Sequence, residues 1–338
     1  MNKRVKMAAG AGLTALALAV AGGGYYYFHV HNDTPEFAIE TVTQSIAKHD
    51  VKEFHRVVNL DSVLDSGYDG FVDGLVSVDN TISSDTKETF RSFTKMLRKP
   101  MIMSLKAAVE SYVATGALNP EENSGLIELL ERTGLNDVEV RDVKNVELND
   151  ANRNEAFADV IIWQPELGRE FPLQIILARG KDDTWQITRV QNFQEYVTHI
   201  TRARHEQLHN YLAQAAEINS RHEATIRAAE EKYGLILSMG NLAQDKTRAE
   251  LKTLLDETFM RDWETRKQEL FGLHVPKDAE TLHNLYMRIC DLWIEAGRDY
   301  GRWLDDNTAL TIKAAEDKIH QAQTLTTEAA NIARRMTS

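Results

Sequence analysis

The stretch His205-Glu206-Gln207-Leu208-His209 sets two imidazoles four residues apart, with a glutamate beside the first. On a helix that spacing puts both rings on one face, where they can share a zinc ion while Glu206 acts as general base in a hydrolysis. The chemistry makes two further demands. The face must turn into a cleft, and a third protein ligand must reach the metal.

Helical periodicity decides where the face points. At about 100° per residue with Leu208 at zero, an apolar stripe that includes Val197, Ile200, Tyr211, Ala215, Ile218, Ile226 and Ala229 falls between 0° and about −80°. His205 lies near +60°, His209 near +100° and Glu206 near 160° on the same roughly 100° step. Both histidines sit on the polar flank. No third ligand is marked either: Asn210-Tyr211-Leu212 follow His209, and Glu230 and Glu231 lie roughly 30 Å further along the same helix. The spacing therefore reads as a solvated helix flank, with a zinc-dependent hydrolase at His205, Glu206 and His209 as the enzymatic alternative and no cofactor expected otherwise.

Other chemistry-bearing residues are weighed the same way. Asp61, Asp65, Asp69 and Asp73 recur every fourth residue and could collect calcium. They lack the alternating loop ligands of a calcium hand, and Val63, Leu64, Tyr68 and Phe71 between them make the acids the wet side of an amphipathic helix. His222 falls inside the apolar stripe, where a histidine packs between helices and offers a titratable group. Cys290 is the only cysteine and lies in the apolar run Leu285–Trp293, so it reads as a small buried hydrophobe and no intrachain disulfide exists. No phosphate-binding glycine loop, nucleophile elbow or dinucleotide fingerprint is present.

These residues are positioned by a chain whose first 30 residues differ from the rest. Lys3, Arg4 and Lys6 precede the uncharged run Met7–Phe28, 22 residues long. About 20 apolar residues cross a bilayer core. The basic flank places the N-terminus in the cytoplasm and the bulk of the chain outside, with Tyr25–Phe28 at the interface. Ala19-Val20-Ala21 also fits a signal-peptidase site, and cleavage after Ala21 would release a secreted chain. Residues 7–28 thus read as a transmembrane anchor or a signal peptide.

Behind this segment two bodies follow. Residues 34–194 give helices first, from "TPEFAIETVTQSIAKHD", from "VKEFHRVVNLDSVLDSGYDGFVDGL" read as one helix, and from about 85–115 and 121–132. Four β-rich runs come next, "DVEVRDVKNVEL", "EAFADVIIWQ", "REFPLQIILAR" and "TWQITRVQNF", parted by Asn-, Asp-, Gly- and Pro-rich turns. This order predicts an α+β domain with helices over one face of an antiparallel four-stranded sheet. Residues 195–338 carry no strand signal and predict an antiparallel, coiled-coil-like bundle of long helices at about 195–238, 245–271 and 278–335. The last would span about 85 Å if unbroken, with a kink expected at Asp305-Asp306-Asn307. Trp263, Leu285, Ile289, Leu292, Tyr300 and Trp303 are its inward candidates.

The opening "TPEFAIETVTQSIAKHDVKEFHRVVNLDSVLD" and a meander closing on "WQITRV" resemble the nuclear-transport-factor-2-like superfamily, in particular its membrane-anchored bacterial members, over residues 34–198. The resemblance implies a cone-shaped α+β fold with a pocket at the wide end. His55, Tyr68, Asp159 and Trp163 are the residue types to line such a pocket, where a Tyr–Asp pair could move protons in a lyase or isomerase. The superfamily includes enzymes and binding modules alike, so the fold does not choose between them.

Charge narrows the partners. The net charge is −12, and residues 35–193 hold 17 basic against 27 acidic side chains while residues 194–338 hold 19 against 23. With no basic stripe, nucleic acid is excluded as the expected partner. The reading is a non-enzymatic extracytoplasmic envelope protein that binds a protein partner or small ligand, with a homodimer through the bundle.

Overall fold

The structure, a computed structural model, describes residues 34–77, 84–135, 138–180 and 182–337. The run 7–28 lies outside these residues. No helix among the described residues is long and apolar enough to cross a membrane. The described chain is mixed α+β and divides into two compact units, one ending at Arg204 and one beginning at His205.

The first unit opens with α1 (Pro35–Ala47). Thr34 caps it by accepting from the Phe37 amide, and Pro35 supplies a preset φ at the first helical position. α2 (Val51–Val57) is capped by Asp50, whose carboxylate accepts from Glu53 N–H at 3.0 Å. The single helix expected over residues 51–75 is broken. Val58 is extended and bridges Ile187, and the Asn59 N–H donates to the Ile187 carbonyl at 2.9 Å. Asn59 then caps α3 (Leu60–Ser77) by accepting from Ser62 N–H. α4 (Ser84–Thr115) and α5 (Ser124–Thr133) follow, the latter ending at Gly134, whose left-handed φ of 71° suits a residue without Cβ.

The sheet is the expected meander: β1 (Glu139–Leu148), β2 (Glu155–Gln164), β3 (Arg169–Arg179) and β4 (Trp185–Val190), in sequence order and antiparallel throughout. β2 alternates strictly, burying Ala156, Ala158, Val160, Ile162 and Gln164. Those side chains meet Ile39, Val42, Phe54 and Val63 from the helices and Ile175, Leu177 and Ile187 from the other strands in one core. The buried Gln164 amide donates to the Gly134 carbonyl and the Tyr196 hydroxyl, so its burial leaves no donor unmet.

α6 (Phe193–Met239) contributes to both units. Its first turns bury Tyr196, Val197 and Ile200 in the α+β core, which carries the first unit beyond residue 194 to Arg204. The second unit continues with α7 (Asp245–Leu254), a π-helical segment Leu255–Met260, and α8 (Arg261–Phe271). α9 (Glu280–Asp306) and α10 (Ala309–Thr337) complete it. The long helix expected at 278–335 is therefore two, and the break falls where the acid-rich kink was expected. Asn307 takes a left-handed φ of 54° and its N–H closes the end of α9 on the Trp303 carbonyl. Ala315, Ala322 and Ala329 are buried at seven-residue spacing on α10, so small side chains let the neighbouring helix approach closely. Trp263, Ile289 and Leu292 are buried, and Leu285, Tyr300 and Trp303 are half-buried.

Candidate functional site

His205, Glu206 and His209 are all exposed, while Tyr211, Ala215, Ile218, His222 and Ala229 on the opposite stripe are buried. The helical-face reading of this segment matches the structure. Among the described residues no group of three or more His, Cys, Asp and Glu side chains is placed to hold a metal ion.

The four pocket candidates of the α+β unit are not brought together. Asp159 and Trp163 stand on the face of β2 opposite its buried residues, because they share odd parity with Phe157 and Ile161. Asp159 accepts from the Asn145 amide at 2.8 Å. His55, on α2, has Nε2 2.9 Å from Glu110 Oε1. Tyr68, on α3, donates its hydroxyl to the Thr94 carbonyl at 2.6 Å. Tyr68 does line a small apolar space, of about 40 Å³, walled by residues such as Leu64, Phe71, Leu105 and Leu130. Its one hydroxyl is already committed to Thr94.

The aspartate series has a structural use. Asp61 pairs with Lys106 at 2.6 Å, Asp65 and Asp69 with Arg98, and Asp73 with Arg91 at 3.2 Å. All four acids are exposed or nearly so and point along the seam between α3 and α4. Their four-residue spacing is answered by basic residues on the facing helix.

An apolar cavity of about 240 Å³ lies in the helical unit. Its walls come from Tyr233 on α6, Leu255 and Phe259 on the π-helical segment, Trp263 on α8, and Trp293 and Tyr300 on α9. The extra residue per turn of a π segment re-aims side chains, and such segments recur at functional sites. Here Leu255 and Met260 of that segment lie against Gly297, where a methyl group would come 2.8 Å from Met260 Cγ. Glu230 is the single charged residue of the lining. The Tyr233 and Tyr300 hydroxyls are hydrogen-bonded to each other, and burial raises the Tyr300 pKa above its usual value.

Trp263 joins this cavity to a buried polar cluster. Its ring stacks on Trp293 with centroids 5.4 Å apart and planes 6° from parallel, and the Arg266 guanidinium lies 3.9 Å from its centroid. Arg266 sits 3.7 Å from Asp262, and burial draws its pKa below the usual value while the Asp262 charge opposes. His222 Nδ1 is 2.8 Å from Asp262 Oδ1 and its Nε2 is 3.1 Å from Glu269 Oε2. The two ring nitrogens diverge, so these carboxylates lie on different sides of the imidazole and do not converge on one ion. Asp262 Oδ2, Trp263 Nε1 and Arg266 Nε have no hydrogen-bond partner among the described residues.

Sequence reasoning placed His222, Trp263 and Tyr300 inward but found neither the cavity nor the cluster. The available signals were glycine at 297 inside a strongly amphipathic helix and the aromatic richness of residues 259–303. Comparison of the chain with protein-family models, with curated proteins and with solved structures gave no match.

Proposed function

We propose that the protein is a non-enzymatic binding protein of the cell envelope, held at the membrane by residues 7–28 with its bulk outside, and that its helical unit takes a small uncharged apolar ligand. The anchor rests on the uncharged run and its basic flank. The helices-then-meander order of the first unit supports the nuclear-transport-factor-2-like reading.

The observation that carries the proposal is the cavity walled by Tyr233, Phe259, Trp263, Trp293 and Tyr300. Its volume of about 240 Å³ exceeds the roughly 150 Å³ that admits benzene in an apolar interior, so one ring with substituents fits. With Glu230 as its one charged lining residue and no lysine or arginine, it disfavours anions. Of the two hydrogen-bonded tyrosine hydroxyls in the lining, Tyr233 and Tyr300, only one donates to the other, and the remaining O–H favours a ligand that brings a hydrogen-bond acceptor.

Calorimetric titration with toluene, acetophenone and benzoate tests this. Acetophenone should bind more tightly than toluene, and benzoate least. Ala296→Phe, which places a ring in the cavity, should abolish binding of all three while the far-ultraviolet circular dichroism stays unchanged. Equal affinities for benzoate and acetophenone, or binding untouched by Ala296→Phe, would refute the proposal.

A further inference from the structure

The fold uses one face of α4, and the opposite face is apolar and exposed among the described residues. At about 100° per residue with Arg91 at zero, Arg91, Thr94, Arg98, Ile102, Leu105 and Val109 fall between about −60° and +20°. This is the inner face. Arg91 and Arg98 pair with the α3 aspartates, Ile102 and Leu105 pack on the core, and Val109 is buried within it. Phe90, Phe93, Met96, Leu97, Pro100 and Met103 fall between about +120° and −100° through 180°, directly opposite. Their exposure is large: Phe90 40%, Phe93 52%, Met96 72%, Leu97 36% and Met103 62%. Elsewhere among the described residues exposed large hydrophobics are fewer and more dispersed, at most three lying close in the chain (Leu235, Met239 and Leu242), whereas five share this stripe. A contiguous apolar patch on this scale marks an interaction surface.

We infer that this stripe of α4 docks into the headgroup region of the bilayer to which the chain is anchored. The inference rests on the reading of residues 7–28 as an anchor. Six positions separate Phe28 from Thr34, where the first unit begins, and at about 3.3–3.6 Å per residue they reach roughly 20 Å at most. The α+β unit is therefore tethered within one protein radius of the lipid. The stripe runs from Phe90 to Met103, about 20 Å of helix. On one side Lys99, at about +80°, flanks it with Lys95, at about +40°, beyond, both exposed, and Asp85 and Glu88 precede it in the chain, so no acid interrupts it. An apolar stripe edged by lysines on a helix unable to span is the pattern of a helix lying in the interface plane.

The test uses the full chain reconstituted in vesicles of phosphatidylcholine and phosphatidylglycerol. Phe93→Cys and Met96→Cys are each labelled with an environment-sensitive fluorophore, and Glu223→Cys, exposed in the helical unit, sets the aqueous baseline. Cys290 is buried and stays unlabelled. Expected are blue-shifted emission at 93 and 96 and quenching by a headgroup-proximal lipid nitroxide severalfold stronger than at 223. Emission and quenching equal to the baseline would overturn the inference. So would blue-shifted, unquenched labels that crosslink between two copies, since the stripe would then be covered by protein. Alkaline extraction of the same vesicles reads the anchor separately. A chain removed entirely would overturn the anchor, while the labels, measured before extraction, still decide the stripe.

Discussion

His222 Nδ1 lies 2.8 Å from Asp262 Oδ1, and the two side chains expose only 8% and 7% of their surface. Both imidazole nitrogens face carboxylates, and Asp262 is shared between His222 and the buried Arg266. Asp262→Ala should cost about 3–5 kcal/mol, because it strands the buried Arg266 charge and leaves a buried His222 nitrogen without its partner rather than merely deleting an attraction. The His222→Leu/Asp262→Ala double variant should recover part of that loss. Urea unfolding of the four proteins measures the coupling, and strictly additive changes would show that the pair does not act as a unit.

Cys290 gives an independent check on the helical core. Burial pushes its thiol up to about 12, with Arg266 opposing. Relative to an ordinary thiol this lowers the thiolate fraction roughly a thousandfold at mildly alkaline pH. Maleimide should therefore leave the folded protein unmodified and label it fully in denaturant. Rapid labelling of the folded chain would mean that α9 is not packed as described.

The elements with strong periodicity were legible from sequence. The stripe from Tyr211 to Ala229 follows one face of α6, and the same arithmetic put His205 and His209 outside it. The strict alternation of β2 likewise marks Asp159 and Trp163 as sharing one face, and the buried Val160 and Ile162 show which face the core takes. What sequence could not supply were partners distant along the chain. The break at Val58–Asn59 exists because Ile187 offers a bridge and an acceptor. Asp61 to Asp73 announce a charged face, but only α4 shows which cations answer it. The bundle cavity needs Tyr233, Phe259, Trp293 and a π segment at once, and a π turn has no signature in a sequence that reads as continuous helix.

Gly74 marks a close approach of α3 to the start of α6. A methyl group there would lie 2.7 Å from Val197 Cβ and 3.0 Å from the Gln194 carbonyl oxygen. Alanine favours a helix interior over glycine by about 1 kcal/mol. The clash should nonetheless win, and Gly74→Ala should destabilise the first unit by about 1–3 kcal/mol. A raised thermal midpoint for this variant would contradict the packing.

His283 ties stability to pH. Its Nδ1 is 3.3 Å from the Tyr211 hydroxyl, and burial lowers its pKa below the usual value. The unfolded chain therefore binds this proton at higher pH than the folded chain does. The stabilising contribution is complete above the unfolded value of about 6.5 and is lost as pH falls below it. Subtracting the stability profile of His283→Gln from that of the parent should leave a difference that declines on acidification through this window. A flat difference would show that the imidazole is as well solvated folded as unfolded.

The α3–α4 seam should respond to salt and not to calcium. Arg98 meets Asp65 and Asp69 and lies 5.7 Å from the Tyr68 ring centroid, with the acids largely in solvent. Exposed pairs of this kind contribute at most about 1 kcal/mol each. Arg98→Ala should accordingly lower stability by about 1–2 kcal/mol at low ionic strength, and high salt should shrink that difference because it screens the pairs in the parent. Replacing Asp65 and Asp69 by asparagine should give a loss of similar size. If calcium instead raised the parent's unfolding midpoint and the double asparagine variant abolished that rise, the acids would be ligands and the ladder a secondary use.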